Sequence, residues 1–194
     1  MKQALIVFVR HPELGKVKTR LAATLGNDAA LSIYKKLLQH TFLITDKIMM
    51  DKFIFYSDEI VKEDLWQRPG YFKARQTDGD LGDRMRQAFE YVFTTGYDRV
   101  CIIGSDCYDL SATIIDEAFL SLNITDIVVG PATDGGYYLL GMKEMHIEIF
   151  NLEQWSTGRV FEQTLELMKT SHLSYTVLQT LTDVDEEKDV PGGW

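Results

Sequence analysis

Short runs of hydrophobic residues alternate with longer amphipathic segments along most of the chain. The runs that begin at Ala4, Lys52, Val100 and Asp126 are nearly continuous in their apolar character. Such runs are typical of parallel strands that are buried on both faces. Between them, apolar residues recur at intervals near 3.6, most clearly after Asn27. This alternation predicts a three-layer α/β/α sandwich with a mostly parallel sheet.

Glycine, proline and capping residues delimit the individual elements. Gly26 is placed as the residue after a first helix, Ser111 as an N-cap, and Pro69 and Gly70 as the end of a short helix. We predict strands over 4–9, 52–57, 71–76, 100–103, 126–131, 137–142 and 175–178, the sixth of them a candidate antiparallel strand. We predict helices over 18–25, 27–48, 59–67, 81–95, 111–122 and 158–168, with Ser156 or Thr157 as the N-cap of the last.

Length and composition are those of an ordinary globular protein. The 194 residues suit one domain over 1–194, and no repeat or linker divides them. The net charge of −9 argues against a general affinity for nucleic acid or anionic membranes. The apolar run at Ala4 is too short for a membrane span, and Cys101 and Cys107 suggest neither a disulfide framework nor a zinc site. We therefore expect a cytoplasmic protein.

A basic segment follows the first predicted strand. Arg10, Lys16, Lys18 and Arg20 place four cations in eleven residues of an acidic protein, directly before a helix. A helix N-terminus and clustered cations favour binding of a phosphate group. The segment is not a Walker A loop, because Val17 follows Lys16. A solvated basic loop is the alternative interpretation.

Acidic residues follow the fourth and fifth predicted strands. Asp106 and Asp109 lie in the loop after the fourth strand, and Asp134 lies in a glycine-rich turn. Carboxylates in such a loop suit Mg²⁺ or Mn²⁺ when substrate phosphates complete the coordination. We prefer Asp106, because Asp109 is equally suited to a helix start. Asp183 and Asp185, two apart in an extended segment, would point the same way and either complete the metal site or form a polar edge.

These segments all begin where a predicted strand ends. Because the carboxyl ends of parallel strands lie at one edge of a sheet, we expect 10–20, 76–84, 104–109 and 131–137 to converge there. The polar loop from Gln76 to Arg84 suits a base, ribose or acceptor contact, although a capped helix start explains it nearly as well. The order of the strands cannot be read from the sequence.

The motifs, taken in order, resemble a known family. They cover residues 8–22, 76–85, 103–110, 129–138, 155–157 and 183–185. Together they look like the bacterial glycosyltransferase-A-like proteins of uncharacterised function, which are similar in fold to phospholactate guanylyltransferase and to the molybdenum cofactor guanylyltransferase. The resemblance implies a nucleotide-diphospho-sugar transferase fold.

The resemblance also implies roles for individual residues. Lys18 and Arg20 fall on the basic nucleotide loop, and Asp106 falls on the metal-binding acid. With the residues above, the hypothetical site has a nucleotide-binding set (Arg10, Lys18, Arg20, Gln76 and Arg84), a catalytic set (Asp106 and Asp134) and a metal-binding set (Asp106, Asp134 and Asp185).

The leading hypothesis is a transferase that uses Mg²⁺ or Mn²⁺ and moves a sugar from a nucleotide sugar to a small-molecule acceptor. A nucleotidyltransferase that acts on a phosphorylated small molecule is the second hypothesis. A nucleotide-binding regulator without turnover is the third. The sequence does not identify the general base: Asp134 is the first candidate, and Asp80 and Asp83 are weaker ones.

Overall fold

The structure is a computed structural model that describes residues 1–155 and 157–194; Ser156, one of the two predicted N-caps, lies outside the described residues. Seven strands form one sheet. They are β1 (Gln3–Val9), β2 (Asp51–Tyr56), β3 (Tyr71–Arg75), β4 (Arg99–Ile103), β5 (Ile127–Pro131), β6 (Tyr137–Met142) and β7 (Tyr175–Val177). The helices are α1 (Thr19–Leu25), α2 (Asn27–Thr45), α3 (Leu81–Thr94), α4 (Ala112–Ser121) and α5 (Val160–Thr170). Two short 3-10 helices cover Ile147–Phe150 and Glu187–Asp189.

The sheet has the order β3-β2-β1-β4-β6-β5-β7. Only β6 runs antiparallel to its neighbours, β4 and β5, and the remaining pairs are parallel. The α/β architecture with a mostly parallel sheet is confirmed, as is the antiparallel sixth strand. Because β6 is reversed, its first residues lie at the edge where β4 and β5 end.

Two hydrophobic clusters lie on opposite faces of the sheet. One contains Leu5 and Ile103 with the apolar faces of α2 and α4, and the other contains Ile6 and Ile102 with that of α3. Successive residues of β1 and β4 therefore point to opposite layers, as the period of a strand requires. Both central strands are buried on both sides, which explains their unbroken apolar sequences. Among the described helices, none has the length and hydrophobicity needed to span a bilayer.

Several predicted boundaries are confirmed to within a few residues. Ser111 caps α4 by accepting a hydrogen bond from the backbone N–H of Ile114. Gly26, with φ of 84°, ends α1. The N-cap of α5 differs from the predicted residue. Arg159 is the N-cap, and Thr157 lies in the segment before it.

The predicted helix over 59–67 is wrong. The segment is a non-helical loop, and its backbone turns around the ammonium of Lys73. That ammonium donates to the carbonyl oxygens of Val61 at 2.8 Å and Lys62 at 3.0 Å and to a carboxylate oxygen of Asp64 at 2.7 Å. A carbonyl oxygen that accepts a hydrogen bond from the largely buried Lys73 ammonium is not free for a helical hydrogen bond. Tertiary contacts therefore override the local helical preference.

Lys73→Met should release this loop. The substitution leaves Asp64 half-buried without its cation, and we expect a loss of about 2 to 3 kcal/mol in the free energy of unfolding. Chemical denaturation measures the loss, and limited proteolysis should show new cleavage within 57–70. Lys62→Met is the control, because its side chain is exposed and only its backbone contacts Lys73. Equal stability of the two variants would contradict the assignment.

Candidate functional site

Lys18 lies at the centre of the charged groups at the carboxyl edge of the sheet. Its ammonium contacts Asp185 Oδ1 at 2.7 Å and Asp106 Oδ2 at 3.1 Å. Its side chain is only 8% exposed, whereas the two carboxylates are 35% and 38% exposed. Burial alone would lower the pKa of Lys18, but the two carboxylates outweigh it, so the pKa lies above its ordinary value. The lysine therefore stays charged.

The backbone directs Lys18 inward. The residue is the N-cap of α1 and has left-handed backbone angles, φ 46° and ψ 51°. For a residue with a side chain, this conformation costs about 1 to 2 kcal/mol. Its ion pairs offset that cost. Arg20, two residues after Lys18, is mostly exposed, and its guanidinium lies 3.9 Å from a carboxylate oxygen of Asp185. The ion pair between Arg20 and Asp185 is therefore weak.

The C-terminal segment brings two acids to the same place. Val184 donates its N–H to the carbonyl oxygen of Asp106 at 2.9 Å, and Asp183 forms a bridge with Cys107. The side chain of Val184 is buried against Leu21 and its neighbours. Asp183 and Asp185 therefore flank a buried residue and both face the loop after β4.

Asp183 is the most perturbed acid of the group. Its Oδ1 is buried and has no hydrogen-bond partner among the described residues. Burial, followed by the negative charges of Asp106 and Asp134, raises the pKa of Asp183 to about 8. The sequence indicated a pair at 183 and 185 but could not show that Asp183 is the buried member.

Asp134 occupies the turn between β5 and β6. Its Oδ1 accepts the N–H of Gly136 at 2.8 Å, which fixes the turn. Gly135 has φ of 89°, and a Cβ there would lie 2.0 Å from the carbonyl oxygen of Gly158. Only glycine fits this position, so the turn is packed against the segment that precedes α5. Asp134 itself is exposed.

Two adjoining cavities open at this edge. The first cavity, of about 410 Å³, is lined by residues that include Arg10, Lys18, Gln76 and Arg84. The second cavity, of about 500 Å³, is lined by residues that include Asp134, Tyr137, Trp155 and Asp183. The two cavities share the wall residues Phe8, Arg20, Leu81, Gly104, Asp106 and Asp185. The two cavities are thus halves of one cleft.

All eight site residues predicted from the sequence line this cleft, in one half or the other. They are Arg10, Lys18, Arg20, Gln76, Arg84, Asp106, Asp134 and Asp185. Their individual roles stay predictions. Gln76 is buried and donates its side-chain N–H to the carbonyl oxygen of Phe55 at 3.0 Å. Arg84 donates through Nε to the carbonyl oxygen of Gly79 at 3.0 Å.

The acids of this cleft are candidate ligands for a divalent cation. Within the part of the chain that the structure describes, no three His, Cys, Asp or Glu side chains form a ready-made metal cluster. Asp106, Asp134 and Asp185 therefore do not converge as a preformed triad. The donor set still suits Mg²⁺ or Mn²⁺, because such ions commonly take one or two carboxylates and complete their coordination with water and substrate phosphate. The buried, unpartnered oxygen of Asp183 adds a further hard donor nearby.

Tyr34 is a site residue that the sequence did not indicate. Its hydroxyl accepts the N–H of Arg10 at 2.9 Å, donates to the carbonyl oxygen of Arg10 at 3.1 Å and lies 3.5 Å from Ser105 Oγ. It thus joins the basic loop to the loop after β4. In the sequence it is one of several apolar positions on the buried face of α2, and nothing distinguishes it.

This fold and this edge define the class of protein. The chain has the nucleotide-diphospho-sugar transferase fold: it superimposes with a TM-score of 0.89 on a candidate nucleotide-diphospho-sugar transferase from Desulfovibrio desulfuricans G20, at 34% identity over 96% of this chain and 84% of that one. Residues 41–157 match the family described as "Uncharacterized protein conserved in bacteria" (DUF2064). The chain belongs to this family, which confirms the resemblance. A comparison with curated protein sequences found no match.

More distant structures share the fold. The inositol-1-phosphate CTP transferase from T. maritima has a TM-score of 0.61 at 11% identity over 99% of this chain and 92% of that one. Rv0371c from Mycobacterium tuberculosis H37Rv, crystallised with manganese, has a TM-score of 0.59 at 11% identity over 97% and 96% of the two chains.

Tyr34→Phe should loosen the basic loop. The change removes both hydrogen bonds to Arg10, and we expect a loss of about 1 to 3 kcal/mol in the free energy of unfolding. Hydrogen exchange should show a faster-exchanging amide at Arg10 with little change in β2. Tyr91→Phe is the matched control, since Tyr91 is 51% exposed. An unchanged amide at Arg10 would refute the link.

Asp183→Asn should stabilise the metal-free protein at alkaline pH. The pKa of Asp183 is higher in the folded state than in the unfolded state, so the folded state holds the extra proton between about pH 4 and pH 8. The wild-type free energy of unfolding therefore falls as pH rises through this window. We expect the free energy of unfolding of the variant to match that of wild type near pH 4 and to exceed it by on the order of 5 kcal/mol at pH 8. Denaturation in chelator at both pH values tests this; a constant difference would argue against it.

Proposed function

We propose that the protein transfers a sugar from a nucleoside diphosphate sugar to a small-molecule acceptor. The observation that carries the proposal is the position of Lys18: this buried cation lines the first cavity and lies between Asp106 and Asp185, the two carboxylates that line both cavities. A diphosphate at this boundary would leave the nucleoside in the first cavity and the sugar in the second. Ligands of open α/β sheets bind at this edge.

The first cavity suits the nucleoside. Gln76 uses its amide N–H on Phe55, so its side-chain oxygen is the group available to accept a hydrogen bond from a base. Among the described residues, Arg84 donates through Nε alone, to the carbonyl oxygen of Gly79. Its other guanidinium N–H groups can therefore serve ribose or phosphate. Proteins of similar fold include a CMP-2-keto-3-deoxy-manno-octonic acid synthetase complexed with CTP, with a TM-score of 0.61 at 9% identity. This supports a nucleotide as ligand class without specifying the base.

Asp106 and Asp185 are the proposed ligands of Mg²⁺ or Mn²⁺, with Asp134 closer to the sugar. Asp106 and Asp185 line both cavities. A protein of similar fold that was crystallised with manganese supports a divalent metal as the ion. When bound, the ion would offset the negative charge of the diphosphate leaving group. Lys18 and Arg20 would supply the remaining positive charge from the protein.

The protein's part in the reaction is to position the substrates and to move one proton. An acceptor hydroxyl oxygen forms the new bond to the anomeric carbon as the bond from that carbon to the diphosphate breaks. The hydroxyl proton passes to a carboxylate, for which Asp134 is the candidate because it is exposed and lines the second cavity. Asp183 also lines this cavity, but its raised pKa of about 8 means that it holds its own proton at neutral pH. The electron pair of the broken bond leaves with the nucleoside diphosphate, whose charge Lys18 and Arg20 stabilise.

Nucleotidyl transfer is the second candidate function. The fold is shared with CTP transferases, and a buried lysine beside carboxylates would also serve a triphosphate. Product analysis separates the two: a nucleoside diphosphate is released from a nucleotide sugar by the first reaction, and pyrophosphate from a triphosphate by the second. A bound nucleotide that stays intact with every acceptor would favour a regulator.

Asp106→Asn should remove the metal-dependent part of nucleotide binding. Wild-type protein is expected to bind nucleoside diphosphates at least about tenfold more tightly with Mn²⁺ than without, a difference of about 1.4 kcal/mol, and the variant should lose this gain. Isothermal titration calorimetry measures both affinities. Asp109→Asn is the matched control, because Asp109 lies in the same loop but is exposed and outside the cleft lining. A retained Mn²⁺ effect in Asp106→Asn would reject the metal assignment.

A further inference from the structure

The second cavity has an unusual balance of charge. Asp106, Asp134, Asp183 and Asp185 all line it, whereas Arg20 is the one cation among the described lining residues. Arg20 also lines the first cavity and reaches towards Asp185. Asp183 contributes an oxygen that is buried and has no partner among the described residues. The cavity therefore offers several hydrogen-bond acceptors and little positive charge.

The remaining walls are largely apolar and aromatic. Met85, Tyr137, Trp155 and Val160 line the second cavity but are absent from the lining of the first. Trp155 is held closely by α3, since a Cβ added to Gly82 would lie 2.1 Å from Cε2 of the indole. A fixed indole beside carboxylates can contact the apolar face of a ring while the carboxylates accept its hydroxyl hydrogens.

From this contrast we propose that the second cavity takes an uncharged or cationic, hydroxyl-bearing acceptor with an apolar face, and that it excludes phosphorylated and carboxylated acceptors. The inference rests on the proposed function, because it assigns the first cavity and the cations Lys18 and Arg20 to the nucleotide. An anionic acceptor would then meet the carboxylate of Asp134 with no cation left to offset it. Neutral hydroxyl groups can instead donate hydrogen bonds to the oxygens of this wall.

The test compares two probes that share an aromatic ring and differ in charge. Phenyl β-D-glucopyranoside is neutral and carries hydroxyl groups, whereas phenyl phosphate is an anion. Each is titrated into the full chain, saturated with nucleoside diphosphate and Mn²⁺, and binding is followed by tryptophan fluorescence. Trp155→Phe identifies the signal of Trp155, because Trp66 is buried elsewhere in the core and Trp194 lies outside the cavity.

We expect the glucoside to change the Trp155 signal and to bind at least tenfold more tightly than phenyl phosphate. In the double variant Asp134→Asn, Asp183→Asn, this preference should fall severalfold through tighter binding of phenyl phosphate. The glucoside affinity of the same variant reports whether the cavity has kept its shape, and Asp109→Asn should behave as wild type. Equal or tighter binding of phenyl phosphate by wild type would overturn the proposal, and so would the absence of a Trp155 response to both probes.

A separate arm keeps this inference apart from the proposed function. Thermal shifts with nucleoside diphosphates, measured without either probe, report on the first cavity alone. Loss of every nucleotide response, with the glucoside preference intact, would refute the proposed function and leave a polyol-binding cavity. Nucleotide binding without the preference would refute only the acceptor class.

Discussion

The site depends on the burial of one lysine between two carboxylates. Lys18 enters from the loop after β1, Asp106 from the loop after β4 and Asp185 from the C-terminal segment. A buried ammonium without partners would be costly, and so would adjacent carboxylates without a cation. Each of the three segments therefore needs the other two. The left-handed backbone of Lys18 shows that the fold accepts local strain to keep the ammonium at this point.

Sheet topology explains why acids from distant parts of the chain meet there. The reversed direction of β6 turns the chain back at the edge where its neighbours β4 and β5 end, so the Asp134 turn lies beside the Asp106 loop. The segment after β7 then passes between the two loops through bridges to Cys107 and Ala132. An all-parallel arrangement would have placed the start of β6 at the far edge, because a crossover would be needed to enter it.

The sequence was sufficient to predict the layers and which loops meet, because strand periodicity and strand ends are local properties. It could not supply the strand order, so the contact of Lys18 with Asp185 was not foreseeable from the motifs. The helix predicted over 59–67 was wrong for the same reason. Helical spacing is a local property, whereas the hydrogen bonds from the Lys73 ammonium to two carbonyl oxygens of this loop depend on the pairing of β3 with β2. Tyr34 was missed because a hydroxyl on a buried helix face is usually explained by packing alone.

A lysine at position 18 can be both structural and ligand-binding because of its hydrogen-bond capacity. An ammonium has three N–H donors, and the two carboxylates take two of them. Lys18 also lines the first cavity, so the third donor can serve a phosphate oxygen without breaking either ion pair. Arginine would be a poor replacement, because its planar guanidinium prefers to donate two hydrogen bonds to the same carboxylate. The position of Lys18 requires one hydrogen bond to each of two carboxylates. The compact charge of lysine thus allows the same residue to join the three segments and to face the first cavity.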